Sequence, residues 1–311
     1  MRSARRRNLI EKKKNAVKTA RLTGLFLKFL LPVFLILIIF AVLKLGTKYW
    51  NGQDKFILSY RLESGDVAVS VLDPKLGEVT TLAIPGDTQV NVARNYGEIR
   101  IKNVWQLGVN EKIGGSLLAE TVTQNFLFPV FLWSDADAKG LTDANILSLL
   151  HFTFFPKSTN ISFGDRLMAC LFSLKVAGTG ASWLDLGKNQ FLAKQKLNDG
   201  LPGYLLTGPA SPRLTMYFSD NSFADKNLRV AIVDSTGEPG VADKVGQIIE
   251  IVGGKVVSVD KKSAANEDCT VLGSDKAIVK KIATLFSCKT RKGGGEMDLE
   301  IDLGTLFAKR F

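Results

Sequence analysis

Asp66-Val-Ala-Val-Ser-Val-Leu-Asp-Pro-Lys-Leu-Gly-Glu-Val-Thr-Thr-Leu-Ala-Ile-Pro-Gly-Asp87 decides the fold class. Its two halves, 66–72 and 78–84, are rich in valine, leucine and isoleucine. The proline and glycine of Asp73-Pro-Lys-Leu-Gly77 punctuate them as a turn, so the stretch reads as a β-hairpin. Ser64-Gly65 marks an earlier turn, and 56–62 reads as a strand before it. Downstream the period changes. Leu118, Val122 and Phe126 share one face of a helix expected from about Gly115 to Gln124, 130–133 reads as a further strand, and 141–150 as a helix begun by Asp137 or Thr142. Phe163, Arg166, Leu167, Cys170, Leu171 and Leu174 recur at helical spacing behind the cap Ser162. Glycine, proline and asparagine then predict loops from 178 to 212.

A second unit begins beyond a boundary expected between 213 and 227. Strand 228–233, turn 234–240, helix 241–252 ended by Gly253-Gly254, strands 255–259 and 269–272, helix 275–286, basic glycine loop 289–295 and strand 297–303 make a compact α/β unit. Two modest domains and an anchor suit a chain of 311 residues.

The anchor is read at the other end. Residues 1–48 carry twelve Lys and Arg against the single Glu11, which accounts for the whole net charge of +11; the remainder balances at 29 basic and 29 acidic residues. Bulk positive charge therefore draws no nucleic acid to the main body. The uncharged run 29–43 rises only about 22 Å as a helix, short of a hydrocarbon core of about 30 Å. Extension back to Leu22 supplies the missing length, with Lys28 snorkelling. Basic residues ahead of the span place the N-terminus in the cytoplasm and the bulk outside it. The rival readings fit less well. Ala41-Val-Leu-Lys-Leu-Gly-Thr47 is a poor cleavage site for a signal peptide, and a DNA-binding arm leaves the apolar run unexplained. The expected order is cytoplasmic tail 1–21, transmembrane helix 22–45, extracytoplasmic domain 50–215 and C-terminal domain 228–311.

Cys170, Cys269 and Cys288 are an odd number for an exported chain, which implies one pair and one leftover. Cys269 and Cys288 are the expected disulfide: one begins a strand, the other follows the next helix, and such a unit brings its ends together. Two separate buried thiols are the alternative. Cys170 lies on an apolar helical face as a buried thiol. With the single His151 among Leu149, Leu150, Phe152 and Phe154 read as a packing residue, no metal site is expected.

Residues 228–304 resemble the C-terminal domain of LytR-type cell-envelope proteins. The resemblance rests on Val230-Ala-Ile-Val-Asp-Ser-Thr-Gly237, the helix from Gly240, Gly253-Gly-Lys-Val-Val257 and Asp298-Leu-Glu-Ile-Asp-Leu-Gly304. Asp234-Ser235 stands where that family has Asn-Gly. The hairpin 66–87, followed by Lys102-Asn103 and Gly114-Gly115, is similar to the LytR-CpsA-Psr catalytic domain, whose hairpin runs from an aspartate to an Ile-Pro-Arg-Asp turn. What the resemblance implies is phosphotransfer of an anionic glycopolymer from a polyprenyl-pyrophosphate carrier to the cell wall, with magnesium on the acids and arginines holding the pyrophosphate.

The departures govern the functional expectation. Gly86 occupies the arginine's place, and Asp165-Arg166 is the nearest substitute for a later arginine-rich stretch. Asp66 and Asp87 stand where metal contact would be made, and Arg94 and Arg100 are the compensating cations. These four residues form a candidate vestigial ligand or metal site, with no confident catalytic residue. The expectation is a non-catalytic binding or scaffolding protein of the envelope, without a cofactor. Its partners would be the membrane and a glycopolymer or polyprenyl-phosphate lipid. The alternative is a diverged magnesium-dependent phosphotransferase.

Overall fold

The computed structural model describes residues 28, 30–39, 46–177, 180–293 and 297–311. It divides into two units, 1–47 and 48–311. In the first, 30–39 is helical and its side chains are exposed. Among the described residues no helix is long and apolar enough to cross a membrane. Of the expected span, 22–27, 29 and 40–45 lie outside the described residues.

The second unit is mixed α/β and holds two five-stranded sheets. The first is built on the hairpin: β1 (Phe56–Arg61), β2 (Val67–Asp73) and β3 (Glu78–Ile84) pair antiparallel in sequence. The short β4 (Gln89–Val92) and β5 (Gly97–Arg100) form their own ribbon. β6 (Leu132–Ser134) joins β1 in parallel and β7 (Ala181–Asp185) joins β3 in parallel. Every residue of β2 is buried. Because alternate strand residues face opposite ways, Val67, Val69 and Val71 enter one core while Ala68 and Leu72 enter another. The sheet is therefore covered on both faces. On the first lie α1 (Val104–Asn110) and α2 (Ser116–Phe126); on the second lie α3 (Gly140–Asp143), α4 (Ile146–Phe154) and α5 (Phe163–Val176). A polar seam crosses the second core. The Tyr60 hydroxyl meets Ser70 Oγ at 3.0 Å, Ser70 meets Thr81 at 2.6 Å, and Thr81 meets Thr142. Burial pushes the Tyr60 phenol above its ordinary pKa.

Three expectations about this region need correction. The helix expected over 141–150 is two helices, because Ala144 turns left-handed at φ 51° and Asn145 recaps the chain by accepting from the Ser148 N–H. His151 is not core packing; it projects from the exposed side of α4, 3.9 Å from Asp137. The loops expected over 178–212 contain β7 and a hairpin of β8 (Leu192–Lys196) and β9 (Pro202–Leu206). Ser162 does cap α5, its Oγ accepting from the Asp165 N–H.

The second sheet has the order β11-β10-β14-β12-β13. Its strands are β10 (Arg229–Ser235), β11 (Lys255–Lys261), β12 (Cys269–Gly273), β13 (Lys289–Arg291) and β14 (Leu299–Gly304). The helices α6 (Val241–Val252) and α7 (Lys276–Leu285) bury their apolar stripes against it. Gly253, left-handed at φ 112°, ends α6, and the Asp275 carboxylate caps α7 by accepting from Ala277 and Ile278. The expected basic loop 289–295 begins as β13, and a last helix, α8 (Thr305–Arg310), follows β14. A disulfide joins Cys269 and Cys288, whose Cα atoms are 4.9 Å apart. Cys170 is a free, buried thiol. Lys281 of α7 ion-pairs with Asp54 at 3.3 Å and with Asp220, tying the second sheet's helices to the segments around the first.

Candidate functional site

The hairpin returns its two ends to one place. The N–H of Gly86, just past β3, donates to Oδ1 of Asp66, just before β2, at 2.7 Å, and Ser64 Oγ donates to the other carboxylate oxygen at 2.9 Å. A Cβ at Gly86 would stand 2.5 Å from the carbonyl oxygen of Gly65 and 3.2 Å from Cβ of Lys102. The first is closer than a side chain tolerates and the second is tight, so an arginine has no room here unless the hairpin end moves.

Asp87 is already matched with cations. Lys102 Nζ lies 2.7 Å and Arg100 Nη1 2.8 Å from Oδ1. Arg100 also grips Asp199 through two bonds, Nε to Oδ2 at 2.7 Å and Nη2 to Oδ1 at 3.0 Å, and donates to the Pro202 carbonyl. The Lys102 ammonium first, and the Arg100 guanidinium next, hold the Asp87 carboxyl below the usual carboxylate range. Asp199 is pulled down to about 2, chiefly by Arg100 and then by the Leu201 N–H. Arg100 is raised in turn, by Asp199 before Asp87.

Of the four residues expected to form a site, Asp66, Asp87 and Arg100 gather at the hairpin end. Arg94 does not join them. It sits at φ 64° and is held by Glu120 of α2 through two bonds of 2.7 Å. Asp165-Arg166 is structural as well. Asp165 is fully buried and accepts from the backbone of Lys48, Tyr49 and Trp50 at 3.0–3.3 Å, while Arg166 donates to the carbonyls of Thr153 and Ile161. Nor do the acids fit magnesium. Asp66 is occupied by a backbone N–H and a hydroxyl, and Asp87 faces two cations. Among the described residues no three acid, histidine or cysteine side chains converge on one point.

Beside the hairpin end a cleft of about 330 Å³ opens, lined by Arg61, Glu63, Lys102, Trp105, Asp135 and Lys157 among others. Arg61 lies over the Trp105 ring, 5.6 Å from its centroid, and neither Arg61 nor Lys157 makes an ion pair among the described residues. Asp135 is 5% exposed. Its Oδ2 accepts from the N–H groups of Lys157 and Ser158, while Oδ1 has no partner. A buried acceptor without a donor is costly, and here it sits in the wall of a cleft that also carries three cations. Lys102 was legible in the sequence only as part of Lys102-Asn103; Arg61, Asp135 and Lys157 carried no local signal, because they come from three separate segments.

Neither a known family profile nor any curated protein matches the sequence. Solved structures are similar in fold over part of the chain. The crystal structure of B. subtilis TagT is similar over 52% of this chain and 88% of its own, at 13% identity and a TM-score of 0.33. The structure described as the LytR-CPS2A-psr family protein YwtF (TagT) with bound octaprenyl pyrophosphate lipid covers 52% and 87%, at 14% identity and a TM-score of 0.33. A structure described as a transcriptional regulator from Enterococcus faecalis covers 65% and 89%, at 10% identity and a TM-score of 0.35. Likeness of this degree concerns partial fold and leaves the chemistry to this chain's own residues. The solved structures to which this mixed α/β chain is similar include LytR-CPS2A-psr proteins, the family its hairpin resembles in sequence.

Proposed function

We propose that this chain is a membrane-anchored protein of the cell envelope, exposed outside the cytoplasm, that binds a phosphate-bearing glycopolymer or polyprenyl-pyrophosphate lipid without transferring it. The observation that carries the reading is the division of charge around the hairpin end. The acids that would hold a metal are consumed by internal donors, whereas Arg61 and Lys157 face the cleft without ion-pair partners. Cations arranged this way neutralise phosphate oxygens. The family resemblance of the hairpin and the basic tail ahead of an apolar run support the location.

The test is binding of polyprenyl pyrophosphate to the full chain in detergent micelles, with and without magnesium. Binding that does not need magnesium and falls about tenfold or more in R61A/K157A, from the loss of two charge-assisted contacts, is the expected result. Turnover of the lipid above background, abolished by Asp87→Ala, would replace this reading with a diverged phosphotransferase. A reporter fused after Phe311 is expected outside intact cells; a cytoplasmic reporter would end the envelope assignment.

A further inference from the structure

The outward side of α4 carries a patch that the function above does not use. Ile146, Leu147, Leu150 and Phe154 recur on the exposed side of this helix, and Phe155 continues it; Ile146 is 68% and Phe155 73% exposed. Phe163, the first residue of α5, adjoins them, its ring 5.7 Å from that of Phe154. Among the exposed residues of α4 only His151 is polar. The buried side of the same helix is also apolar, through Leu149 and Phe152. A helix apolar on both sides is ordinarily covered on both.

The position of the patch indicates what covers it. Asp165, two residues beyond Phe163, binds the backbone of Lys48, Tyr49 and Trp50. Lys48 stands three positions beyond residue 45, where the proposed span ends. The chain that follows the proposed span in sequence therefore joins the folded body at the first turn of α5. Cations rim the patch. Lys157 follows Phe155 by two residues, Arg166 lies 6.0 Å from the Phe163 ring, and Lys48 stands at the attachment point itself. Of the nearby acids, Asp143 is paired with Lys139 at 3.2 Å and Asp137 faces His151 at 3.9 Å. Apolar side chains flanked by the exposed Lys48 and Lys157 match the boundary between acyl chains and anionic head groups.

We infer that Ile146, Leu147, Leu150, Phe154, Phe155 and Phe163 form a docking face that inserts into an anionic lipid bilayer beside the anchor. The inference rests on the proposed span for the position of the bilayer. Lys157 belongs both to the rim of this face and to the wall of the cleft, so a docked body holds the cleft at the depth of lipid phosphates.

Flotation of residues 46–311 with phosphatidylglycerol–phosphatidylcholine vesicles tests it. Among the described residues this fragment contains all of the three hydrophobic cores, the first residue of which is Trp50, so it carries the burial on which the folded body rests. The fragment is expected to float with the vesicles, and F154S/F155S to lower the bound fraction at least about tenfold. I146S/L147S, at the other end of α4, is expected to do the same; both pairs are exposed, so the fold survives. A fragment that stays in solution overturns the docking face, while a full chain that still resists alkaline extraction from membranes keeps the anchor. A full chain that alkali extracts removes the anchor instead. A fragment that dimerises through this face, becoming monomeric in F154S/F155S without ever floating, also overturns the lipid assignment.

Discussion

The N–H of Gly86 and the carboxylate of Asp66 lie 2.7 Å apart, closing the hairpin at its open end. Beside it the Gly65 carbonyl oxygen, 2.5 Å from where a Cβ would stand, leaves no volume for a side chain on residue 86. Gly86→Arg is therefore expected to destabilise the protein by about 1–3 kcal/mol through overpacking, measured by urea unfolding, and to bring no transferase activity. Asp66→Ala, which strands the same N–H, is expected to cost about 1–3 kcal/mol.

Acid should loosen the hairpin end. Asp87 and Asp199 have pKa values lowered in the folded protein, the latter to about 2, so they bind protons more weakly folded than unfolded. Their contribution is present in full above an unfolded carboxylate pKa of about 3.9 and is lost as pH falls through the folded values. The melting temperature is expected to drop between about pH 4 and pH 2, and Arg100→Ala to flatten that drop by removing the cation both acids share. A variant whose profile matched the wild type would show that the arrangement contributes nothing.

Removal of the disulfide by C269S/C288S is expected to cost about 3 kcal/mol, since the bridge closes a loop with a sequence separation of 19. Thiol titration of the oxidised protein should find one reactive sulfur, that of the buried Cys170, and only after unfolding.

The seam from Tyr60 through Ser70 and Thr81 to Thr142 is satisfied at every link. Thr81→Val keeps the volume and removes the central hydroxyl, leaving Ser70 and Thr142 short of a partner in a dry core. A loss of about 1–3 kcal/mol in chemical unfolding is expected; a neutral result would mean that water replaces the hydroxyl.

The hairpin and the α6 and α7 region were legible because period, turn residues and caps agreed over long runs. Elsewhere local signals conflicted with tertiary ones. The break at Ala144 has no glycine or proline to announce it, and β7 to β9 lie in a stretch whose turn residues outweigh its short strands. The candidate site divided along the same line. Asp66 and Asp87 were named from the resemblance of the hairpin to the LytR-CpsA-Psr domain, and the hairpin brings both to its open end. Arg94 and Arg100 look alike in sequence, yet Glu120 captures one while Asp199, ninety-nine positions away, positions the other.

The clasp of Asp165 on Lys48, Tyr49 and Trp50 has a mechanical consequence. A pull on the chain from its N-terminal side meets the folded body at the first turn of α5, where these bonds and the Ser162 hydroxyl converge on one carboxylate. Load is thereby routed into a helix, and the hairpin strands β2 and β3, which Asp66 and Asp87 flank, lie off its path. Stretching would part the clasp and peel the segment ahead of β1 before any sheet bond is strained, a sacrificial link that spares the hairpin end.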